Sequence, residues 1–394
     1  MSLLSIKKSS LNKFMMIFII VDLLFLPYFQ LIIFPLSLPL LLFYYLFIGF
    51  KIRADFDFKV WMFFIMIAFL SVIYGYSYSY LSTYFLENIK YVLLLIFSLF
   101  YLFYFNYNDL IINYNTINYI LKIFIIYVST LSFLLLIHPV EVTEFISQFY
   151  GRTASSFDDF LFDLRFKYFF QDANTFAYFM LLVLGFLFQT HKKNTQLLFF
   201  SILVLFVIVI TQSTGGLLGY LIISIIYVFN KILKVSLLKK IILFIFFTFL
   251  FSLFILLIIY FKDENLFISF FYERLFESDE RISSGGGRFR IWSELFYMFP
   301  LPIGVGYNLY IPEISGIRSP HSDFFGMIFR YGFLSLFPII YFFYKKLKSG
   351  YYIIIPALLT FFINSLFDSQ KLLILFFLLT IISFKNHNAN KIIP

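Results

Sequence analysis

The sequence predicts an all-α, polytopic membrane protein with about twelve transmembrane helices, and three observations lead there: its apolar content, its aromatic content and the spacing of its long apolar runs. Hydrophobic residues fill 62% of the 394 positions and charged residues 13%, against roughly a quarter charged in a soluble domain. The 63 Phe and 30 Tyr exceed what one water-soluble core buries. Lipid-facing surfaces, helix contacts and interfacial belts all accept aromatic rings. A hydrocarbon layer of roughly 30 Å requires about 20 apolar residues per helix. Windows of that kind fall at 14–32, 34–50, 60–78, 90–106, 118–138, 173–190, 197–213, 215–230, 241–261, 323–343, 350–367 and 371–385.

The first run follows Lys7, Lys8 and Lys13 as the apolar region of a signal peptide would, but no small-residue cleavage site comes after it. It is therefore expected to stay as a signal anchor with its N-terminus inside. On that register the inner segments hold sixteen Lys and one Arg, among them Lys51, Arg53, Lys192, Lys193, Lys345, Lys346 and Lys348. The outer segments hold four Lys and seven Arg. Lysine suffices for the positive-inside rule, so the outer arginines need another reason. Both termini are then expected in the cytoplasm, and residues 1–394 are expected to form a single integral membrane domain. The net charge of +9 is mostly topological, and no nucleic-acid motif or basic stripe accompanies it. The absence of Cys removes disulfides, thiolate nucleophiles and cysteine metal sites from consideration.

Two outer segments, 139–172 and 262–322, are too long to be turns, and long connections between packed spans usually carry function or lack order. Together they are expected to form an active-site cap. The second carries SSGGG (Ser283–Gly287), then RFRIWSELFYMFP (Arg288–Pro300), then SPHSDFFG (Ser319–Gly326). Phe289, Trp292, Phe296 and Phe299 recur at three- or four-residue spacing, which predicts a helix lying in the outer interface. A purely structural cap over the bundle is the plainer alternative.

Arg288 and Arg290 open that helix, where free backbone N–H groups and the helix dipole already favour an anion. Flexible glycines just before them let the backbone approach closely. Arginine recognises phosphate through a planar pair of hydrogen bonds, so these residues describe a diphosphate site. Arginines that snorkel to lipid headgroups would give the same pattern.

Of four histidines, His191 lies in a Lys-rich turn, His387 in the polar tail, and His138 just before Pro139. His321 instead follows Ser319 and Pro320, a cap and first-turn pair opening the tenth span. A helix N-terminus disfavours imidazolium, so the ring is expected to be neutral and able to accept a proton. The alternative is an ordinary interfacial polar residue. Asp323 is expected to cap the helix rather than orient the ring, because residues two apart on a helix do not face one another. Asp22, Lys122 and Arg330 are the charges that fall within spans; packing is the expected role for each, with pairing to Asp22 or lining a cavity as the alternatives for Arg330.

Three stretches carry a family likeness. The first is RFKYFFQDANTFAYF (Arg165–Phe179), an arginine, a gap and then an Asn at a helix start. The second is GRFRIW followed by PLPIGVG, which sets out Gly287, Arg288, Trp292, Pro300, Gly304 and Gly306. The third is His321 followed by Gly332, and TQSTGGLLGYL (Thr211–Leu221) supplies a small-residue turn. Over residues 120–345 the chain resembles the O-antigen polymerase and O-antigen ligase superfamily of membrane glycosyltransferases. It departs from the pattern at two points: the family's usual Gly between Arg and Asn falls near Tyr168, and its usual Pro beside the Asn is Ala173.

The resemblance implies metal-independent transfer, with no cofactor, of a glycan from an undecaprenyl diphosphate donor to an acceptor hydroxyl at the outer membrane face. Arg165 and Arg288 would bind the diphosphate, with Arg290 beside them, and His321 would position or deprotonate the acceptor. The lipid-linked oligosaccharides, membrane lipids, and a flippase and chain-length regulator of the same pathway are the expected partners. A repeat-unit polymerase for O-antigen or capsule is the favoured reading within the family, since Phe-rich, divergent chains are typical of it; a ligase acting on lipid A core is the alternative. Outside the family, a polysaccharide flippase or other secondary transporter would also have about twelve helices. Transporters are commonly built from repeats, and no matching halves are visible in the sequence.

Overall fold

A computed structural model of the chain describes residues 3–29, 34–48, 56–76, 84–107, 114–151, 165–190, 194–232, 302–304 and 322–392, with isolated positions 252, 256, 259, 260 and 272. Most of the span expected at 241–261 lies outside the described residues, as do most of the 262–322 segment with its Phe289–Phe299 stripe, and 152–164 of the first outer segment.

The described residues are overwhelmingly helical. The helices are α1 (Leu3–Phe25), α2 (Ser37–Ile48), α3 (Phe56–Tyr76), α4 (Tyr84–Tyr107), α5 (Tyr114–Ile137), α6 (Pro139–Tyr150), α7 (Ala173–Thr190), α8 (Asn194–Thr211), α9 (Thr214–Ile232), α10 (Asp323–Tyr331), α11 (Leu336–Ile363) and α12 (Gln370–Ile392). Six helical runs among these residues are long and apolar enough to cross a membrane, and those in α2 and α8 are apolar but shorter. The first helix is shifted towards the N-terminus relative to the expected span 14–32. Helix α1 stops at Phe25, and β1 (Tyr28–Phe29) pairs antiparallel with β2 (Phe34–Pro35). Pro27 supplies the reason, because the residue before a proline is pushed out of the helical region.

Helix α11 reverses direction at Gly350, whose backbone leaves the helical region at φ −151° and ψ 42°. Phe343 and Phe361 are eighteen residues apart, about 27 Å along a straight helix, yet their ring centroids lie 5.8 Å apart. The two halves therefore pack antiparallel. The chain returns to the level of α10, where the Asp323 N–H donates to the Asn364 carbonyl at 3.0 Å. This agrees with separate sequence windows at 323–343 and 350–367.

Helix α7 is the most enclosed element, with Ala173 and every residue from Thr175 to Phe188 buried. It packs against α8, α9, α11 and α12. The outward faces carry large exposed apolar side chains, including Phe47 on α2, Met66 on α3, Phe133 on α5 and Ile202 on α8. So much apolar surface favours association or precipitation in water, whereas lipid solvates it. Many interior tyrosines pack a ring and tie the hydroxyl to another element. The Tyr44 hydroxyl donates to Asn12 Oδ1 at 2.6 Å, Tyr104 to the Asn12 carbonyl at 3.0 Å, and Tyr150 to the Phe25 carbonyl at 3.0 Å.

Among the described residues, three buried cations are paired with carboxylates, as an apolar surround requires. Lys346 meets Asp57 at 2.8 Å and lies over the Phe384 ring. Lys371 lies 3.7 Å from Asp22, donates to the Asp22 and Leu26 carbonyls and sits over the rings of Tyr28 and Phe169. Arg330 pairs with Asp368 at 2.9 Å. Its partner is thus not Asp22, which Lys371 occupies. Arg330 and Asp368 also line a cavity of about 20 Å³ with Tyr91, Met327 and Gln370, room for a single water.

Candidate functional site

The site is built where two loops meet, one leading into α7 and the other joining α8 to α9. Asp172 precedes α7 and caps it: the Thr175 N–H donates to Asp172 Oδ2 at 3.1 Å, and the Thr175 hydroxyl donates to the same oxygen at 3.3 Å. A carboxylate at a helix N-terminus satisfies an orphan amide and complements the dipole. Ala173, where the family's proline is usual, is then the first helical residue. A proline fits there because its missing N–H has no intrahelical partner to lose; alanine fits equally well.

Ser213 plays the same part for α9. Its Oγ accepts the Gly216 N–H at 3.0 Å and donates to Asn174 Oδ1 at 2.8 Å. Arg165 closes the connection between the loops. Its Nε donates to the Thr211 carbonyl at 3.1 Å and its Nη2 to Asn174 Oδ1 at 3.0 Å. The neighbouring Phe166 N–H donates to the Ile210 carbonyl at 3.3 Å. The arginine and asparagine of the first sequence stretch are therefore direct partners, and the TQSTGG turn is the third side of the same structure.

Among the described residues, Tyr168 (φ 53°) and Gln212 (φ 50°) are the non-glycine residues with positive φ, and each sits on one of these loops. The left-handed region costs an L-residue roughly 1–2 kcal/mol. Such strain persists only where the surroundings over-determine it, and it clusters at functional sites. Tyr168 lies in the region where the resemblance leads one to expect a glycine; its backbone has a glycine-like conformation, and its side chain is held by packing. Tyr168 is 1% exposed, ringed by Tyr150, Phe169, Phe176, Phe124, Tyr127 and Phe166. Its hydroxyl contacts the Tyr150 hydroxyl at 2.8 Å and donates to the Leu24 carbonyl at 3.2 Å. Burial raises its pKa well above the usual tyrosine value, so the phenol is neutral.

Residues of α10 and the chain between α11 and α12 adjoin these loops. The Ser322 hydroxyl donates to the Phe362 carbonyl at 2.8 Å. Asp323 Oδ2 accepts the N–H groups of Leu366 and Phe367. Asp323 therefore does not cap α10 as expected; it serves the backbone leading to α12, whose buried amides need an acceptor. Asn364 Nδ2 donates to Asp172 Oδ2 at 3.4 Å and to Thr175 Oγ1 at 3.3 Å.

Gly304 and Gly332, from the second and third stretches, meet directly. A Cβ on Gly304 would lie 2.3 Å from the Arg330 carbonyl carbon, and one on Gly332, which has φ +82°, 2.3 Å from the Pro302 carbonyl oxygen. The Leu334 N–H donates to that oxygen at 3.2 Å. Two backbones approach too closely here for any side chain.

These contacts link stretches far apart in the chain, and several of them fall within one matched segment.

Residues 199–340 match the O-antigen ligase family.

The match makes this part of the chain similar to that family, in line with the resemblance carried by the sequence stretches. It runs from α8 into α11 and takes in Gly304 and Gly332, together with Arg288, Arg290 and His321, which lie outside the described residues. Arg165 and Asn174 precede it. No curated protein and no solved structure compared with the chain matches it.

Of the site residues expected from the sequence, Arg165 is thus located, half-buried between two loops. Sequence reasoning missed Asp172, Ser213 and Asn364. The first two have a local signal, a capping residue just before an apolar run. Asn364 has none, since its partners are 192 and 189 residues away.

Proposed function

We propose that the chain is a membrane glycosyltransferase that polymerises O-antigen or capsular repeat units at the outer face of the inner membrane. The observation that carries the reading is the family match over residues 199–340, joined to a helical membrane fold whose Arg165 is tied to the beginning of that segment directly at the Thr211 carbonyl and through Asn174 to Ser213. In this reading the donor is an undecaprenyl diphosphate-linked glycan. Arg165, Arg288 and Arg290 hold the diphosphate through charged hydrogen bonds, and His321 orients the acceptor hydroxyl and takes its proton. The acceptor oxygen forms a bond to the anomeric carbon as the bond to the diphosphate oxygen breaks, and the electron pair leaves with the diphosphate. That group already leaves readily, so the protein's work is orientation and charge stabilisation. The topology follows from the same reading: both termini are cytoplasmic and the segments 139–172 and 262–322 are on the outer side.

A second reading, transfer of a finished chain to lipid A core, is favoured by the name of the matched family. Deletion of the gene followed by gel analysis of surface glycan separates the two. Core bearing one repeat unit is the expected result. Bare core beside accumulated long lipid-linked chains favours the ligase, and an unaltered glycan overturns both.

A further inference from the structure

We propose that Asp172 and Asn364 are positioning residues that hold the Arg165 guanidinium in fixed register with the first turn of α10. The inference rests on the reading of Arg165 as a diphosphate ligand and of α10 as the helix that follows the acceptor-side His321 in sequence.

Four hydrogen bonds run without interruption from the guanidinium to the α10 backbone. Arg165 Nη2 donates to Asn174 Oδ1 at 3.0 Å, and Asn174 Nδ2 donates to Asp172 Oδ1 at 3.2 Å. Asn364 Nδ2 donates to Asp172 Oδ2 at 3.4 Å. The Asp323 N–H donates to the Asn364 carbonyl at 3.0 Å. The polarity of the chain admits one arrangement. Arg165 only donates, so Asn174 must turn its oxygen to it; the carboxylate of Asp172 only accepts, so both asparagines must turn their nitrogens to it.

Local needs do not account for the bridge. Asp172 completes its capping role with Thr175 alone, and the Asn364 N–H already bonds to the Thr360 carbonyl at 2.8 Å as α11 ends. The side-chain contact between them joins elements 192 residues apart. Asn364 is buried, where a lost partner leaves a desolvated polar group behind. Catalytic groups must be held within about 0.5 Å of productive geometry, and a misplacement of about 1 Å can cost on the order of 100-fold in rate. A bridge between donor-side and acceptor-side elements supplies that constraint.

The chain has no Cys, so spin labels can be attached at Gln171→Cys and Phe325→Cys and their separation measured by pulsed electron resonance in detergent. The parent pair should give a narrow distance distribution, and Asn364→Ala should broaden it. In transfer assays with a lipid-linked repeat unit, Asn364→Ala should lower kcat about tenfold or more and move the donor KM by less than about threefold, as expected for lost orientation. Asp172→Ala combined with Asn364→Ala should be no worse than the worse single change within about twofold, because both cut one connection. If Asn364→Ala is not recovered as monodisperse protein, Asn364→Ser repeats both measurements. An unchanged distance distribution overturns the proposal whatever kcat does, and so does a loss carried wholly by KM. Absence of transfer by the unmodified protein overturns the glycosyltransferase reading instead, while the spin-label result still reports on the bridge.

Discussion

Substitution at Tyr168 tests whether packing holds a non-glycine residue in the left-handed region. The side chain is fully enclosed by six aromatic neighbours and makes two hydroxyl contacts. Truncating a buried ring of this size removes roughly 150–250 Å² of burial, about 4–6 kcal/mol at about 25 cal/mol per Å². Tyr168→Phe keeps the ring and should lose about 1 kcal/mol with the hydroxyl bonds. Tyr168→Ala loses the ring and retains the backbone strain of φ 53°. Tyr168→Gly loses the ring but relieves roughly 1–2 kcal/mol of that strain, set against about 0.5–1 kcal/mol of extra chain entropy. The expected stability order is Tyr, Phe, Gly, Ala, with Gly above Ala by about 0.5–1 kcal/mol. Thermal unfolding in detergent should show that gap as about 0.5–1 °C in Tm. In a helix or strand the last two would reverse. An Ala variant as stable as the Gly variant would refute the left-handed assignment.

Three further outcomes follow from the structure. Asp57→Ala should destabilise by about 3–5 kcal/mol by leaving Lys346 buried without its 2.8 Å partner, while Asp57→Leu with Lys346→Met should recover most of the loss; chemical denaturation of both variants checks this, and equal loss in the two contradicts it. Gly185→Ala should destabilise by about 1–3 kcal/mol despite alanine's better helix propensity, since the new Cβ would lie 2.1 Å from the Tyr352 carbonyl oxygen and push α7 from α11; a stabilised variant by the same measurement would show that the helices are not in backbone contact. Arg288→Lys should lose about 10-fold or more of transfer at normal expression, because an ammonium cannot reproduce the planar fork; retained transfer reduces Arg288 to a headgroup anchor.

The membrane class and most helix positions were legible because apolar runs of a set length have few other uses. Single residues set what the runs did not show. Pro27 ends α1 before the apolar run ends, and Gly350 turns an apolar stretch back on itself. The Arg165–Asn174 pair was legible as a spacing but not as a contact. The left-handed turn at Tyr168, between the two, was not legible, because a tyrosine's conformation there depends on distant rings that a local pattern does not contain. Asp323 was misassigned for a similar reason. Capping is a local rule, whereas the amides it serves at Leu366 and Phe367 arrive through the reversal of α11. Arg330 found its partner in Asp368 rather than Asp22 because the same reversal brings the start of α12 beside α10.

The most direct test of the proposed activity is a reconstitution. Purified protein in lipid vesicles is supplied with an undecaprenyl diphosphate-linked repeat unit that carries a fluorescent sugar, and the products are separated by gel. A ladder of lipid-linked glycans, lost on Arg165→Ala with the protein still folded, is the predicted result. Movement of the labelled lipid across the bilayer with no change in glycan length would contradict it and assign the chain to transport.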